Sequence, residues 1–221
     1  MTKAANVCIV IPLYKVKPTE LELKSINQAR EVFKGRDIFY VVPRGFDASA
    51  YVPEALMEFP EYYFMSLSNY SELCCLEEFY KAFELYEWMM IYQPDCWVFE
   101  DNLDMFCALD YDYIGAPWPK MPGIPVDGVG NGGFCLRSLP KFIKLTRNLQ
   151  SCGAPPEDRF WCIDMKAYLN IAPISVAAHF SLEHDPARWY KEHGKVRPMG
   201  CHKPWRFSYE TFWKQFGVPE R

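Results

Sequence analysis

Short apolar runs alternating with helix-period segments organise the first hundred residues. Val7-Cys8-Ile9-Val10-Ile11 is rich in β-branched residues and closed by Pro12, which predicts a strand over 6–12. Thr19-Glu20-Leu21-Glu22 has the form of a capping box, with a hydroxyl at the cap and a glutamate three positions on. It opens a predicted helix in which Leu21, Leu23, Ile26, Ala29 and Val32–Phe33 recur at roughly helical spacing, stopped by Gly35. A second strand is predicted over 37–42, ended by Pro43-Arg44-Gly45. Residues 47–58 read as a short helix and 62–65 as a third strand. Ser68-Asn69-Tyr70-Ser71 offers N-caps for a helix to about Tyr86. That helix leads into Trp88-Met89-Met90-Ile91-Tyr92, which reads as a buried strand. The strand closes on the polar residues Gln93 and Asp95, and a second apolar piece, Trp97-Val98-Phe99, follows.

The second half is less regular. A short strand is predicted over 112–116, and the proline-rich stretch 117–125 reads as a loop. Residues 129–137, with glycines among apolar residues, read as a strand or bulged hairpin. Helices are predicted at about 139–150 and 156–169, a strand at 174–178, and an aromatic and basic tail from Pro186 that wraps over the domain. Strands alternating with helices through short loops predict an α/β fold: a mixed, mostly parallel sheet with helices on both faces. No linker interrupts the pattern, so one domain over 1–221 is expected.

Composition narrows the function classes. At 221 residues and 50% hydrophobic, the chain can build one full core. A net charge of −4 without a basic stripe gives nucleic-acid binding little electrostatic support. Apolar runs fall well short of the ~20 residues of a membrane span. The N-terminus runs straight into a strand, so no signal peptide is expected. Nine cysteines, an odd number without a C-x-x-C, sit in apolar runs and point to reduced thiols and a cytoplasmic protein, not a zinc site.

Four places can carry chemistry. Asp95 ends a buried strand, where open α/β sheets bind ligands; beside a carbonyl-bearing Gln93 it suits a hard divalent cation held against a phosphate, or else a turn-forming Pro-Asp. Gly128-Val129-Gly130-Asn131-Gly132-Gly133 lacks dinucleotide-binding spacing. It suggests either close backbone approach to a ligand, with Asn131 donating and accepting hydrogen bonds, or a tight hairpin; Arg137 after it faces a phosphate or solvent. Glu157-Asp158 at a helix start is either a pair of dipole partners or a general base, with Trp161 one turn on able to stack on a sugar. Cys201-His202-Lys203 is either a surface loop or a metal and diphosphate site, His as ligand and Lys as point charge.

Taken in order, Tyr92-Gln93-Pro94-Asp95, Asp112–Trp118, Gly130–Arg137, Glu157-Asp158, Phe180–Glu183 and Gly200-Cys201-His202 resemble a GT-A-like glycosyltransferase family of bacterial and viral polysaccharide gene sets, long catalogued as a domain of unknown function. Val10–Lys15 resembles that family's first strand. The resemblance implies a nucleotide-sugar donor, a glycan or glycoprotein acceptor, and a divalent cation, manganese or magnesium. Gln93 stands where the family's Asp-x-Asp segment has its first carboxylate, which weakens the cation site by one negative ligand. On this reading residues 1–103 are the nucleotide-binding half and 104–221 the acceptor-binding half, whether of a whole protein or of one domain of a larger enzyme. Pro12, Leu13, Tyr14 and Arg44 would flank the base, and Asn69 and Ser71 the ribose. Asp95 and His202 would hold the cation with Gln93 beside them, and Lys203 would face the diphosphate. Trp118, Asn131, Gly132, Gly133 and Trp161 would seat the acceptor, with Asp158 as base, Glu157 beside it and Glu183 as the next candidate. Two rivals are a sugar-phosphate nucleotidyltransferase, which would want a glycine-rich loop absent from 12–20, and a non-catalytic sugar-binding module.

Overall fold

The computed structural model describes residues 4–149, 153 and 156–220. Its strands are β1 (Val7–Pro12), β2 (Asp37–Pro43), β3 (Leu56–Phe59), β4 (Trp88–Tyr92), β5 (Cys96–Val98), β6 (Tyr113–Ile114), β7 (Ala116–Trp118), β8 (Gly128–Gly130), β9 (Phe134–Ser138), β10 (Ser181–Leu182) and β11 (Gly200–His202). Its α-helices are α1 (Glu20–Val32), α2 (Leu67–Leu73), α3 (Glu77–Lys81), α4 (Leu103–Cys107), α5 (Leu139–Thr146), α6 (Glu157–Arg159), α7 (Ile174–Phe180) and α8 (Pro186–Glu192).

The main sheet has the order β3-β2-β1-β4-β9-β6. β1 to β4 are parallel, and β9 runs antiparallel between β4 and β6. Period-two alternation sends Val7, Ile9 and Ile11 into one core and Cys8 and Val10 into another; Trp88, Met90 and Tyr92 divide from Met89 and Ile91 in the same way. Both faces are therefore covered, which explains why these strands read as unbroken apolar runs. The chain moves outward from β1 through β2 to β3, then returns to β4 on the other side of β1. The crevice at the carboxyl ends of β1 and β4 is thus the topological switch point where such sheets bind ligands. Tyr14 and Lys15 follow β1 there, and Gln93 and Asp95 follow β4.

The capping box at Thr19 and Glu22 is formed in full, and Gly35, at φ +94°, follows the end of α1. Elsewhere tertiary contacts overrule local pattern. The helix expected over 47–58 is a single 3-10 turn, Ser49–Tyr51, because Val52 turns left-handed before Pro53; the strand follows at Leu56–Phe59. The strand expected at 62–65 is a 3-10 turn, Glu61–Phe64. The helix expected to reach Tyr86 breaks between α2 and α3, where the Cys74 carbonyl accepts from Tyr80 Oη and Trp161 Nε1. The strand expected at 174–178 is α7, whose buried Ala177, Ala178 and Phe180 lie on one helical face. The segment 129–137 is two strands in different sheets, with Asn131–Gly133 crossing between them.

The helix over 139–150 ends at Thr146; its expected last residue, Gln150, lies outside the described residues, as does Cys152. The eight described cysteines are buried. Residues 157–168 form α6, a π turn (Phe160–Asp164) and a 3-10 turn (Lys166–Tyr168). The tail packs Trp189, Phe212, Trp213 and Val218 against Leu182 and Cys201 as a third apolar cluster.

Candidate active site

A three-stranded sheet, β10-β11-β5, assembles the site. β11 lies antiparallel to β5 with His202 opposite Cys96, so the imidazole arrives beside the turn that carries Asp95. That turn is clamped from behind: Ser25 Oγ on α1 donates to the Cys96 carbonyl at 2.6 Å, and Tyr92 Oη meets Ser25 Oγ at 2.9 Å. Gln93 N–H donates to the Gly133 carbonyl at 2.8 Å, and Lys203 N–H to the Asp95 carbonyl at 2.9 Å.

His202 stands between two carboxylates. Its Nε2 is 3.2 Å from Asp95 Oδ1 and its Nδ1 is 3.0 Å from Glu183 Oε1, although neither nitrogen has an aligned hydrogen bond. The ring is 4% exposed, whereas the Asp95 side chain is 44% exposed. Burial by itself disfavours the imidazolium. The charges of Glu183 and Asp95 outweigh it and hold the His202 pKa up at about 9. Burial opposes the ionised form of Asp95 as well, and His202 and Lys203 together bring its pKa below the ordinary value. Gly133 makes this packing possible: a Cβ there would sit 2.4 Å from His202 Nε2.

Among the described residues, Asp95, Cys96 and His202 form a group whose ligand atoms lie within 4.8 Å of one another. Cys96 is a poor candidate ligand. Burial pushes its thiol well up, and its Sγ donates to the Gly133 carbonyl. A carboxylate oxygen and an imidazole nitrogen with no aligned hydrogen bond remain. Such a pair fits manganese better than magnesium, because magnesium prefers oxygen ligands.

The second part of the site lies behind the glycine turn. Asp158 Oδ2 accepts the Gly132 N–H at 3.0 Å, and its Oδ1 accepts the Arg159 N–H. Glu157 turns the other way. Both of its oxygens accept from Arg137 Nη2, at 2.9 and 2.8 Å, and Arg137 Nη1 donates to Tyr80 Oη at 2.8 Å. Burial raises the Glu157 pKa to about 7 against the pull of Arg137. Arg137 thus faces neither phosphate nor solvent: it is fully buried on Glu157. A Cβ at Gly132 would lie 1.9 Å from Glu157 Oε1, and one at Gly130 would enter the Trp118 ring. These glycines admit the protein's own side chains.

Asn131 is 1% exposed at φ +76°. Its Oδ1 accepts the Gly133 N–H at 2.9 Å, while its buried Nδ2 lacks a hydrogen-bond partner among the described residues. Trp118, 5% exposed, lines a mostly apolar cavity of about 340 Å³ with Ile124, Val129, Ile163 and Ile174. Trp161 is not a platform. It is fully buried, packed on Phe142 and Phe160, with its Nε1 bonded to Cys74, so no ring face is open to a sugar.

Around the crevice, Tyr14 is 59% exposed and Arg44 is exposed at the end of β2, while Pro12 and Leu13 are buried. Asn69 Nδ2 donates to the Tyr62 carbonyl; Ser71 Oγ donates to the Leu67 carbonyl and accepts the Glu157 N–H. Pattern reading missed the Arg137–Glu157 and His202–Glu183 pairings, for which no local signal exists, since the partners come from different elements.

The chain matches the family described as "Protein of unknown function (DUF5672)" over residues 55–202, and belongs to it. No curated protein matches it. Among solved structures it is similar to the apo form of WbbM, a bifunctional glycosyltransferase, at 12% identity and a TM-score of 0.54, covering 97% of this chain and 50% of that one. It is similar to the galactosyltransferase LgtC in complex with donor and acceptor sugar analogues, at 10% identity and a TM-score of 0.51, covering 96% of this chain and 92% of that one. The chain therefore spans half the length of WbbM and nearly all of LgtC. These likenesses show the fold, which is that of GT-A glycosyltransferases. No helix among the described residues is long and apolar enough to cross a membrane.

Proposed function

We propose that the chain is a glycosyltransferase that moves a sugar from a nucleotide-sugar donor, a uridine-diphosphate sugar, to a glycan acceptor with inversion, using a divalent cation. The observation that carries this reading is the convergence of Asp95, His202 and Lys203 at the switch-point crevice. Asp95 and His202 would hold the cation. When bound, that ion supplies positive charge against the diphosphate. Lys203 adds a part-exposed ammonium, its side chain 31% exposed. Tyr14 and Arg44 offer an exposed ring and an exposed charge to the base and diphosphate, with Pro12 and Leu13 as the wall behind them.

Asp158 takes the proton from the acceptor hydroxyl. The Gly132 and Arg159 amides orient its carboxylate, and Glu157 is committed to Arg137. Trp118 walls a mostly apolar cavity, and Asn131 shapes the glycine turn beside Asp158 by accepting the Gly133 N–H. Uridine as the base rests on analogy with other GT-A enzymes.

A panel of nucleotide sugars, with and without manganese, scored for nucleoside diphosphate release, tests the reading. Uridine diphosphate with manganese is expected to raise Tm more than the guanosine, cytidine or thymidine diphosphates do. Asp95→Ala is expected to fold and to lose metal-dependent turnover. Retained metal-dependent turnover in that variant, or a clear preference for guanosine diphosphate, would count against the metal or the donor assignment respectively.

A further inference from the structure

β10 and β11 pair in parallel with Leu182 opposite Cys201, so Glu183 and His202 leave the small sheet side by side. Glu183 is 6% exposed. Its surroundings are cationic: Oε1 lies 3.0 Å from His202 Nδ1 and 3.9 Å from Lys203 Nζ, and Oε2 lies 3.7 Å from His184 Nε2. A buried carboxylate is expensive to maintain, and this corner already has Leu182, Cys201, Trp189 and Trp213 to hold it together. The role of general base does not suit it. His202 stands between Glu183 and Asp95, so an acceptor hydroxyl would have to displace the imidazole to reach it.

We propose that Glu183 is the positioning residue of the cation site. Its carboxylate draws the Nδ1 proton of His202, turns Nε2 toward Asp95, and leaves the Nε2 lone pair for a divalent ion. A carboxylate on the far nitrogen of a metal-binding histidine fixes both tautomer and ring direction. The same charge holds Lys203 on the diphosphate side. Gly133 completes the seat by letting a face of the ring lie against bare backbone. This inference rests on the assignment of Asp95 and His202 as cation ligands.

Titration calorimetry of Mn²⁺ into the wild type and Glu183→Gln, with Tm measured on both, tests it. Glutamine keeps the size and removes the charge. The Mn²⁺ Kd is expected to weaken by about 10–100-fold, the usual effect of losing such a partner, in a variant that still melts cooperatively. Glu183→Asp is expected to recover part of the affinity. Independently of any variant, ¹⁵N shifts of the neutral His202 ring in the wild type are expected to place the proton on Nδ1. Equal Mn²⁺ affinity in wild type and Glu183→Gln would overturn the role of Glu183 and leave the cation assignment standing, and a proton on Nε2 would overturn the role of Glu183. No Mn²⁺ binding by the wild type would overturn both.

Discussion

Gly133→Ala is expected to unseat His202 with little change elsewhere. The backbone at 133 has nowhere to retreat: its carbonyl accepts from Gln93 N–H and Cys96 Sγ, and its N–H donates to Asn131 Oδ1. A methyl group there would lie 2.4 Å from His202 Nε2 and 2.5 Å from Cε1, whereas ordinary contact begins at 3.4 Å. The ring must therefore move by the difference, 3.4 − 2.4 = 1.0 Å. The Cβ would lie over the ring face, nearly equidistant from Nε2, Cε1 and Cδ2, so the ring is pushed away from its place between Asp95 and Glu183. Overpacking of this kind costs about 1–3 kcal/mol, a fall in Tm of roughly 2–12 °C for a domain of this size. Metal–ligand distances tolerate only about 0.2 Å, so the displaced Nε2 is lost as a ligand and Mn²⁺ affinity is expected to fall about 100-fold or more. Calorimetric titration with Mn²⁺ and a thermal melt read both effects. Gly128→Ala is the control from the same glycine cluster, because its Cβ would meet nothing nearer than the Val126 carbonyl at 3.9 Å. If Gly133→Ala binds Mn²⁺ as tightly as wild type, or if Gly128→Ala loses affinity equally, the packing of His202 on Gly133 does not govern the site.

Asp158→Asn is expected to cut sugar transfer by about 10²–10⁴-fold with donor binding nearly unchanged, the ordinary worth of a general base. Glu157→Gln is expected to act mainly on stability, since Glu157 holds the buried Arg137; kinetics and melts reporting the reverse pattern would exchange the two roles. His202 links stability to pH. Its folded pKa, about 9, lies above the ordinary 6.5, so its contribution is fully present below pH 6.5 and is lost as pH rises through 9. The shift corresponds to about 3 kcal/mol, measurable as denaturant stability across that range. The same proton competes with the metal, so Mn²⁺ affinity is expected to rise about tenfold per pH unit from pH 6 to 8; a flat profile would show that His202 is not a ligand.

The helix start at Thr19 and the strands β1, β2 and β4 were legible because their signals are local: a capping box, β-branched runs, a closing proline. The failures are equally specific. Ile174–Ala178 looks like a strand by composition, but its burial follows helical spacing against the neighbouring layer. Residues 71–86 keep helical periodicity, but a carbonyl claimed by Tyr80 and Trp161 breaks the helix at Cys74. Trp161 and Trp118 are the same residue type, and only packing separates a core ring from a cavity wall.

The sequence by itself determined the fold class, a sheet covered on both faces with a carboxylate at the end of its fourth strand, because alternation and capping act over a few residues. It also supplied the residue types of the site. Tertiary structure alone decided which of them meet. His202 reaches Asp95 through the register of β11 on β5, and Glu183 reaches His202 through the register of β10 on β11. Arg137 finds Glu157 across the glycine turn rather than a phosphate. Strand register and close approach at glycine depend on residues far apart in the chain, and no periodicity within a segment encodes that pairing.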